Sequence, residues 1–570
     1  MAKNTMGAGI TYQANLQDAE TGKAVYAAVN EEFKKGPELN EELLMRILRE
    51  NKDTEYGRKY GFSDISSVEE YQNRVPVIVY DNIANDLERM SNGQKNILTA
   101  YTFTHMNETS ATMGIPKRIP MTQAQAQVFL RYNKQYMDGL KAELLDSTWM
   151  AGRAFCTTEG KHRTLDSGIT VGDASSVMAD YIRGGKESLG NMMSALFTSP
   201  IEATLPVPNT DTKYIHTRAA LMDENATGII TGFYSLVLNY LRYIGDHYEL
   251  LIHDIEKGTI DADIKLSPEV RESLLQKIQP MPERAARLRE IFANGSDFCF
   301  IPEVWPQMTY LTGVGGDGFR IYDRIIKERY SGDCLKNIYF GVTASEGLWS
   351  VPGGIDIEDS VLAPSSAFLE FLPVDCGDNF SRCVTMDKLE KGRIYEIIAT
   401  NLSGFYRYRT SDAVEVTGFR EQTPTVRFMY RVNRTINMAA EKTTEKALQV
   451  AVEGAMEELG VELSDFSVYP DYDNMTYVFL VEPMKEDVGV NEQQLTDCIY
   501  KHMRKANGEF AGYVDTGRIK RPVAHWLQSQ TATLYRDMMV FKGASANQLK
   551  PVRVIMNEKQ RKFFFGLLME

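Results

Sequence analysis

Features that would mark a secreted or membrane-spanning protein are scarce in this 570-residue sequence. Its six cysteines are scattered without a C-x-x-C pair, which is typical of reduced thiols and offers no zinc-ligand spacing. The first twenty residues contain no apolar core, so we expect no export signal. The longest candidate span, residues 228–241, includes Thr231 and Asn239 and covers too little of a bilayer. The sequence therefore indicates a soluble, cytoplasmic protein.

An excess of positive charge is also absent. Lysine and arginine number 63 against 77 aspartates and glutamates, and the formal net charge is −14. This balance argues against general binding to nucleic acids or to anionic membranes. We find no internal repeat and no low-complexity segment. The chain is too long for one hydrophobic core, so the length predicts two or more domains, at least one of them large.

The order of candidate elements predicts an α/β protein. Helical and extended segments alternate from residue 120 to 330, which indicates helices packed on sheets. From Asn337 the chain is rich in strands, and after Asn433 it has the helix and strand content of a compact α/β domain. We therefore predict an N-terminal domain at 1–432, a C-terminal domain at 433–570 and a hinge near Val432. Upstream, the apolar run from Val75 to Tyr80 predicts a short strand.

The stretch from Thr109 to Lys117 combines three hydroxyl residues, a glycine and a lysine within nine positions. An extended segment precedes it, and a helix is predicted from Met121 onward. Hydroxyls and free backbone N–H groups in a tight loop can surround phosphate oxygens, and a lysine adds charge. The Walker spacing is absent. For this stretch alone, a Ser/Thr-rich surface turn is an equally good interpretation.

A glutamate follows a predicted strand that ends at Val342, in the sequence Thr343-Ala344-Ser345-Glu346. The carboxyl ends of strands face the crevice where α/β proteins bind ligands. Glu346 could bind Mg²⁺ through one oxygen while the metal keeps water and phosphate ligands. A solvated turn glutamate is the alternative.

An aspartate, Asp412, lies within another predicted strand region, which runs from Phe405 to Val416. Strand alternation predicts Tyr406 and Tyr408 on one face and two arginines, Arg407 and Arg409, on the other. Asp412 then lies where a carboxylate could accept hydrogen bonds from two ribose hydroxyls. A turn aspartate beside a charged sheet face is the alternative.

A lysine near the C-terminus, Lys550, follows Gln548 in a short polar turn. In isolation, a surface lysine is the simpler interpretation.

Together and in this order, the four segments resemble the adenylate-forming enzyme superfamily, and most closely the auxin-responsive acyl-acid amido synthetases of plants and their bacterial relatives. The first is similar to the phosphate loop T-S-G-T-T-G-x-P-K, the second to A-S-E, the third to Y-R-Y-R-x-G-D and the fourth to Q-x-K. The resemblance extends over about residues 39 to 551. It implies a large N-terminal domain of helix-flanked sheets with a small β-barrel, and a small, mobile α/β C-terminal cap.

The resemblance also implies an activity. Such an enzyme uses ATP and Mg²⁺ to convert a carboxylic acid into an acyl-adenylate, and then transfers the acyl group to an amine such as an amino acid. Lys550 would neutralise charge on the α-phosphate, Glu346 would bind Mg²⁺, and Asp412 would bind the ribose with help from Arg431. The adenosine side would be lined by Thr312, Gly313, Thr343, Ala344 and Ser345. The phosphate loop would comprise Thr109, Ser110, Ala111, Thr112, Gly114 and Lys117.

Three alternatives remain open at this point. A G-x-G-x-x-G pattern at 313–318, with Asp333 at the distance of a ribose-binding acid, would indicate dinucleotide binding, although no clear βαβ unit surrounds it. A thioester-forming CoA ligase would share every adenylation residue. A catalytically weakened nucleotide-binding relative is the third alternative, because the sequence departs from the family pattern at Val342, Ala111, Met113 and Thr410-Ser411.

Overall fold

The computed structural model describes residues 4–109, 117–160, 162–173, 195–204, 206–207, 210–316, 319–432, 435–439, 441–546 and 549–569, with side chains from residue 11. Its strands, in chain order, are β1 Phe103–Glu108, β2 Arg118–Thr122, β3 Ala154–Cys156, β4 His162–Thr164, β5 Thr170–Gly172, β6 Gly228–Phe233, β7 Tyr310–Val314, β8 Lys336–Tyr339, β9 Thr343–Ala344, β10 Gly347–Leu348, β11 Ser350–Pro352, β12 Ser360–Leu362, β13 Phe368–Pro373, β14 Ile394–Thr400, β15 Tyr408–Arg420, β16 Thr423–Arg431, β17 Leu463–Asp471, β18 Thr476–Pro483 and β19 Val523–Trp526.

Helices surround these strands. In the first part of the chain they are Asn4–Glu32, Gly36–Asn51, Glu55–Tyr60, Val68–Arg74, Tyr80–Ser91, Gln123–Phe129 and Tyr136–Leu144. The middle of the chain contains Ile201–Thr204, Thr212–Met222, Tyr234–Lys257, Pro268–Lys277, Pro282–Ile291, Ile301–Val304 and Arg320–Ile326. The last part contains Glu445–Leu459, Glu492–Ala506, Gly508–Asp515, Thr531–Phe541 and Glu558–Phe565.

A parallel sheet with the order β3-β6-β7-β8 forms one core of the molecule. Ile229, Leu311 and Ile338 on its strands are almost completely buried. Parallel strands are usually covered on both faces, which accounts for their apolar sequences. The long helix Tyr234–Lys257 follows β6 and packs against helix Pro282–Ile291.

This part of the chain also contains the two-stranded sheet β9-β10 and two larger sheets. One has the order β2-β1-β5-β4, and β1 and β2 pair as an antiparallel hairpin. The other is a six-stranded antiparallel sheet with the order β11-β12-β16-β15-β14-β13. The small barrel expected from the resemblance corresponds to this sheet, whose strand order is open between β11 and β13.

The C-terminal part contains the sheet β17-β18-β19 and its own helices. Thr444 caps helix Glu445–Leu459, because its side chain accepts a hydrogen bond from the Ala447 N–H. The helix is joined to Glu492–Ala506 by Glu458, which accepts hydrogen bonds from Lys501 and His502. The predicted domain boundary at residues 432/433 stays a prediction.

Polar contacts connect the C-terminal part to the rest of the molecule. The Tyr322 hydroxyl donates to Asp465 at 2.8 Å and accepts from Arg553 at 3.0 Å, and Arg553 also pairs with Asp465. Arg553 is nine-tenths buried. A buried charge needs a partner. The trio therefore fixes the position of Arg553 and Asp465 relative to Tyr322.

The predicted strand from Val75 to Tyr80 is wrong. The structure has a single bridge there, between Ile78 and Tyr408, and a helix begins at Tyr80. The Val79 N–H donates to the Asn82 side chain at 2.8 Å, which closes the first turn of this helix. Local capping therefore prevails over the apolar, β-branched composition of the run.

All six cysteines are free thiols. Within the described residues, every helix is too short or too polar to cross a bilayer.

A buried ion pair lies where β13 meets the segment that leads into β15. The Arg407 guanidinium forms two contacts of 3.0 Å with Glu370, and it donates to the carbonyl oxygens of Gln72 and Val75. The Glu370 side chain is completely buried. Its charge is therefore balanced almost entirely by Arg407.

We predict that Glu370→Gln lowers the free energy of unfolding by about 3–5 kcal/mol, because it leaves the Arg407 charge buried without a counter-ion. Urea unfolding followed by circular dichroism measures this change. The control is Asp375→Asn, which removes an exposed ion pair with Arg393 and should cost less than about 1 kcal/mol. Equal urea midpoints for the two variants would contradict the interpretation.

Candidate active site

The predicted phosphate loop is the connection between β1 and β2. At its base the Thr109 N–H donates to the Lys117 carbonyl at 3.0 Å, and the Lys117 N–H donates to Thr109 Oγ1 at 3.2 Å. The two ends of the loop are therefore held together by an antiparallel hairpin. The loop residues between them lie outside the described residues, and they include Ser110, Ala111, Thr112, Met113 and Gly114.

The segment that carries Glu346 lies against this hairpin. Asn107 on β1 donates from Nδ2 to the Ser345 carbonyl at 3.0 Å. Asn401, just after β14, donates from Nδ2 to the Glu346 carbonyl at 2.7 Å. Both asparagines bind backbone oxygens, so they fix the path of the chain at Glu346. Thr343 and Ala344 form β9, directly before this point.

A tyrosine connects the phosphate loop to the glutamate side chain. The Tyr408 hydroxyl donates to Glu346 Oε1 at 3.1 Å, and Lys117 Nζ lies 3.4 Å from the Tyr408 hydroxyl oxygen. Lys117 also lies over the ring of Tyr80, 5.2 Å from its centroid. The structure thus brings together three segments that are far apart in the sequence.

Asp412 is paired with Arg431 across β15 and β16. The two residues are opposite each other in the register, and Arg431 Nε donates to Asp412 Oδ1 at 2.9 Å. The Asp412 carboxylate, with a contribution from Glu346, raises the pKa of Arg431 above its usual value. The pairing across the two strands holds the Asp412 carboxylate against Arg431.

The predicted alternation from Tyr406 to Arg409 is wrong. Strand β15 begins only at Tyr408, and Arg407 has a φ of 44° and is buried with Glu370. Tyr406 is buried as well, and its ring stacks on Tyr56. Period-two alternation applies to a regular strand, and the left-handed residue interrupts it.

Thr312 and Gly313 lie on β7, in the parallel sheet. Thr312 is buried, and its hydroxyl has no hydrogen-bond partner among the described residues. A Cβ on Gly313 would lie 2.5 Å from Thr231 Cγ2, so a larger residue would push β7 away from β6. The Gly313 carbonyl accepts from the Phe340 N–H at 2.9 Å, which links this strand to the chain that leads to Glu346.

The structure surrounds the G-x-G-x-x-G pattern with a βαβ unit, formed by β7, helix Arg320–Ile326 and the parallel strand β8, so the expectation that such a unit is missing is wrong. The position of the candidate ribose-binding acid nevertheless disagrees with the dinucleotide alternative. Asp333, the candidate ribose carboxylate, is 89% exposed and pairs with Lys327 at 2.8 Å. It lies on the surface beyond helix Arg320–Ile326, where it serves as half of an exposed ion pair.

Lys550 comes from the C-terminal part and reaches the parallel sheet. Its Nζ lies 5.8 Å from the centroid of the Phe233 ring, at the end of β6. Phe233 is opposite Val314 on β7, two residues after Thr312. Lys550 therefore faces the carboxyl edge of the sheet that contains Thr312 and Gly313.

Sequence reasoning missed Asn107 and Asn401 as site residues and considered Tyr408 only as a strand residue. Asn107 lies two positions before Thr109, near the end of β1, and this position could have suggested a role. Nothing in the sequence around Asn401 indicates a role in the site, because its hydrogen-bond partner, Glu346, is 55 positions away.

Comparison with known proteins identifies the family of the chain. The family models for the GH3 family N-terminal, central and C-terminal domains match residues 26–335, 360–431 and 446–559. The chain belongs to the GH3 family. The resemblance inferred from the four motifs is thereby confirmed.

GH3 relatives of similar length occur in plants. The probable indole-3-acetic acid-amido synthetase GH3.1 of Arabidopsis thaliana is 24% identical over 91% of this chain and 89% of its own. The jasmonoyl–L-amino acid synthetase JAR4 of Nicotiana attenuata is 24% identical over 92% and 93%. The solved GH3.15 acyl acid amido synthetase has a TM-score of 0.83 at 20% identity, covering 96% of this chain and 97% of its own. The predicted α/β fold is confirmed.

One departure from the GH3 pattern has a visible structural consequence. Ser411, where the family pattern has glycine, has a φ of 63°. A side chain in this left-handed region costs about 1–2 kcal/mol, whereas glycine adopts it readily. Ser411 is therefore a strained position directly before Asp412.

We predict that Ser411→Gly raises the free energy of unfolding by up to about 1 kcal/mol, because it relieves this strain. Thermal unfolding measures the change. Glu415→Gly, on the same strand at negative φ, is the matched control and should lower stability by about 0.5–1 kcal/mol. A loss of stability in both variants would show that Ser411 is not strained.

Proposed function

We propose that this GH3 chain is an ATP-dependent acyl-acid amido synthetase. It activates a small carboxylic acid as an acyl-adenylate and transfers the acyl group to an amine, specifically an amino acid. The named relatives support this proposal, because they are amido synthetases of indole-3-acetic acid and of jasmonate. The net charge of −14 favours small-molecule substrates over nucleic acids. Free thiols at all six cysteines suit a cytoplasmic location.

The observation that carries the proposal is the junction between the phosphate-loop hairpin and Glu346. A loop that holds phosphates and a carboxylate that holds their counter-ion must be adjacent. Asn107 joins β1 to the Ser345 carbonyl, and Tyr408 lies between Lys117 and Glu346. The contact of Asn107 with Ser345 joins residues 238 positions apart, and that of Lys117 with Tyr408 joins residues 291 positions apart.

Each side chain would contribute in a different way. Thr109 and Lys117 would bind phosphate oxygens together with Ser110, Thr112 and Gly114. The buried Asp412, oriented by Arg431, would accept hydrogen bonds from the ribose hydroxyls. Lys550 would stabilise the charge that develops at the α-phosphate.

Glu346 is the residue that would hold Mg²⁺. It is half-buried, and carboxylate oxygens are hard donors that suit this ion. When bound, Mg²⁺ would neutralise part of the charge on the phosphate oxygens.

Adenylation makes chemical sense because a carboxylate has a poor leaving group. Attack of the carboxylate oxygen on the α-phosphorus forms a mixed anhydride and releases pyrophosphate. The amine nitrogen then attacks the acyl carbon, AMP leaves, and the nitrogen loses a proton. Both steps need water to be excluded, and closure of the C-terminal part over the site would achieve this.

The first experiment is product analysis by mass spectrometry with pooled carboxylic acids, pooled amino acids and Mg-ATP. We expect an acyl–amino acid conjugate, AMP and pyrophosphate. Parallel reactions with coenzyme A test the thioester alternative, since a thioester product would replace the amide. If no acid supports ATP–pyrophosphate exchange and calorimetry detects no ATP binding, the adenylation proposal is wrong.

We predict that Lys550→Ala slows acid-dependent ATP–pyrophosphate exchange by about 10²–10³-fold, the usual cost of losing one contact to the transition state. ATP affinity, measured by calorimetry, should change little because the other binding groups remain. Lys542→Ala is the control, since Lys542 is an exposed lysine in the same part of the chain. Near-parental exchange by Lys550→Ala would remove this lysine from the mechanism.

A further inference from the structure

Tyr408 contacts Glu346 and Lys117, two residues to which the proposed function gives roles, but Tyr408 itself has no role in that proposal. Its hydroxyl is 3.1 Å from Glu346 Oε1 and 3.4 Å from Lys117 Nζ. A phenol can donate one hydrogen bond and accept others at the same time. Tyr408 can therefore donate to the carboxylate while it accepts from the ammonium group.

The surroundings hold the Tyr408 ring in one place. Only 3% of the residue is exposed. Its backbone pairs with Ala399 on β14 and forms the isolated bridge with Ile78. Its ring meets Phe405 edge-on, with 4.9 Å between the centroids. The hydroxyl is thus presented by a rigid group on a central strand.

Glu346 needs such a partner. Asn401 and Asn107 bind the backbone carbonyls of Glu346 and Ser345, and neither contacts the carboxylate. Within the described part of the chain, the Glu346 carboxylate accepts its hydrogen bond from Tyr408. Without this bond, the side chain would be free to rotate about its three torsions, and metal affinity depends on oriented ligands.

The charge of Lys117 favours the donor role of the Tyr408 hydroxyl. The neighbouring ammonium group of Lys117 polarises the phenol and strengthens its donation to the carboxylate.

We infer that Tyr408 is a positioning residue whose hydroxyl orients the Glu346 carboxylate for a divalent cation and couples it to Lys117 of the phosphate loop. The inference rests on the proposed function, because it gives a role to the residues that would hold Mg²⁺ and phosphate. Tyr408 contacts neither substrate nor metal in this role. It acts through Glu346.

The test is Tyr408→Phe, which keeps the ring and removes the hydroxyl. Binding of Mn²⁺, as a spectroscopic substitute for Mg²⁺, is titrated by electron paramagnetic resonance with the full-length protein and a non-hydrolysable ATP analogue. We expect Mn²⁺ affinity to fall by about 10–100-fold, the usual effect of losing a group that orients a metal ligand. Circular dichroism and the thermal midpoint report whether the variant is folded.

A second measurement separates positioning from general damage. In acid-dependent ATP–pyrophosphate exchange, Tyr408→Phe should need more Mg²⁺ for half-maximal rate, while the rate at saturating Mg²⁺ stays within a few-fold of the parent. Tyr80→Phe is the control, because Tyr80 also lies beside Lys117 but its hydroxyl accepts from the Arg118 N–H at 2.9 Å. Its Mn²⁺ affinity should match the parent.

A double-mutant cycle completes the design. In a Glu346→Gln background, Tyr408→Phe should cause little further loss of Mn²⁺ affinity, because the group that it orients no longer carries charge. Parental Mn²⁺ affinity in Tyr408→Phe, or full additivity with Glu346→Gln, would overturn the inference. Absence of acid-dependent exchange in the parent would instead overturn the proposed function, so the two failures are distinguishable.

Discussion

The buried ion pair between Arg407 and Glu370 is the constraint on which the candidate site depends. A guanidinium in the protein interior is tolerated only when its charge and its donors are matched, and here one carboxylate and two carbonyl oxygens do so. This matching holds Arg407 at a left-handed φ at the entrance to β15. The next residue, Tyr408, then points its hydroxyl at Glu346, and Asp412 follows opposite Arg431. A structural ion pair thus sets the direction of the functional side chains.

The motifs predicted which segments form the candidate site, and the structure brings the segments of Lys117, Glu346 and Tyr408 together. The roles of Thr109, Lys117, Glu346 and Asp412 stay predictions, which rest on short patterns and their order. The contact between Lys117 and Tyr408 could not be predicted in this way, since it joins residues 291 positions apart. Such contacts depend on which sheets adjoin, and no local pattern encodes that. Hydrogen bonds from asparagine side chains to backbone oxygens likewise leave no recognisable pattern in the sequence.

Predictions from local sequence patterns were wrong where the backbone departs from regular strand conformation. The alternation expected from Phe405 to Val416 assumes an unbroken strand, whereas Arg407 and Ser411 both have positive φ. The strands of the parallel sheet are short but mostly buried, and the helix Tyr234–Lys257 has a buried side along its length. The apolar sequences of both agree with this burial. Prediction therefore succeeded in the scaffold and failed in the segment beside the site, where strain and buried charge are concentrated.

The contacts of the C-terminal part bear on how Lys550 could leave the site after adenylation. Lys213 pairs with Asp537 at 2.6 Å, and both side chains are partly exposed to water. The buried Asn239 accepts a hydrogen bond from Thr533 at 3.0 Å. Water can replace the exposed ion pair at little cost. The trio of Tyr322, Asp465 and Arg553 is buried, and separating it would expose an ion pair to solvent in one step. A rotation about the trio could separate Lys213 from Asp537 and Asn239 from Thr533. Such a rotation would withdraw Lys550 from Phe233 and would leave every buried charge of the trio paired. A rotation axis near Arg553 would keep this trio intact, and the hinge near Val432 stays a prediction.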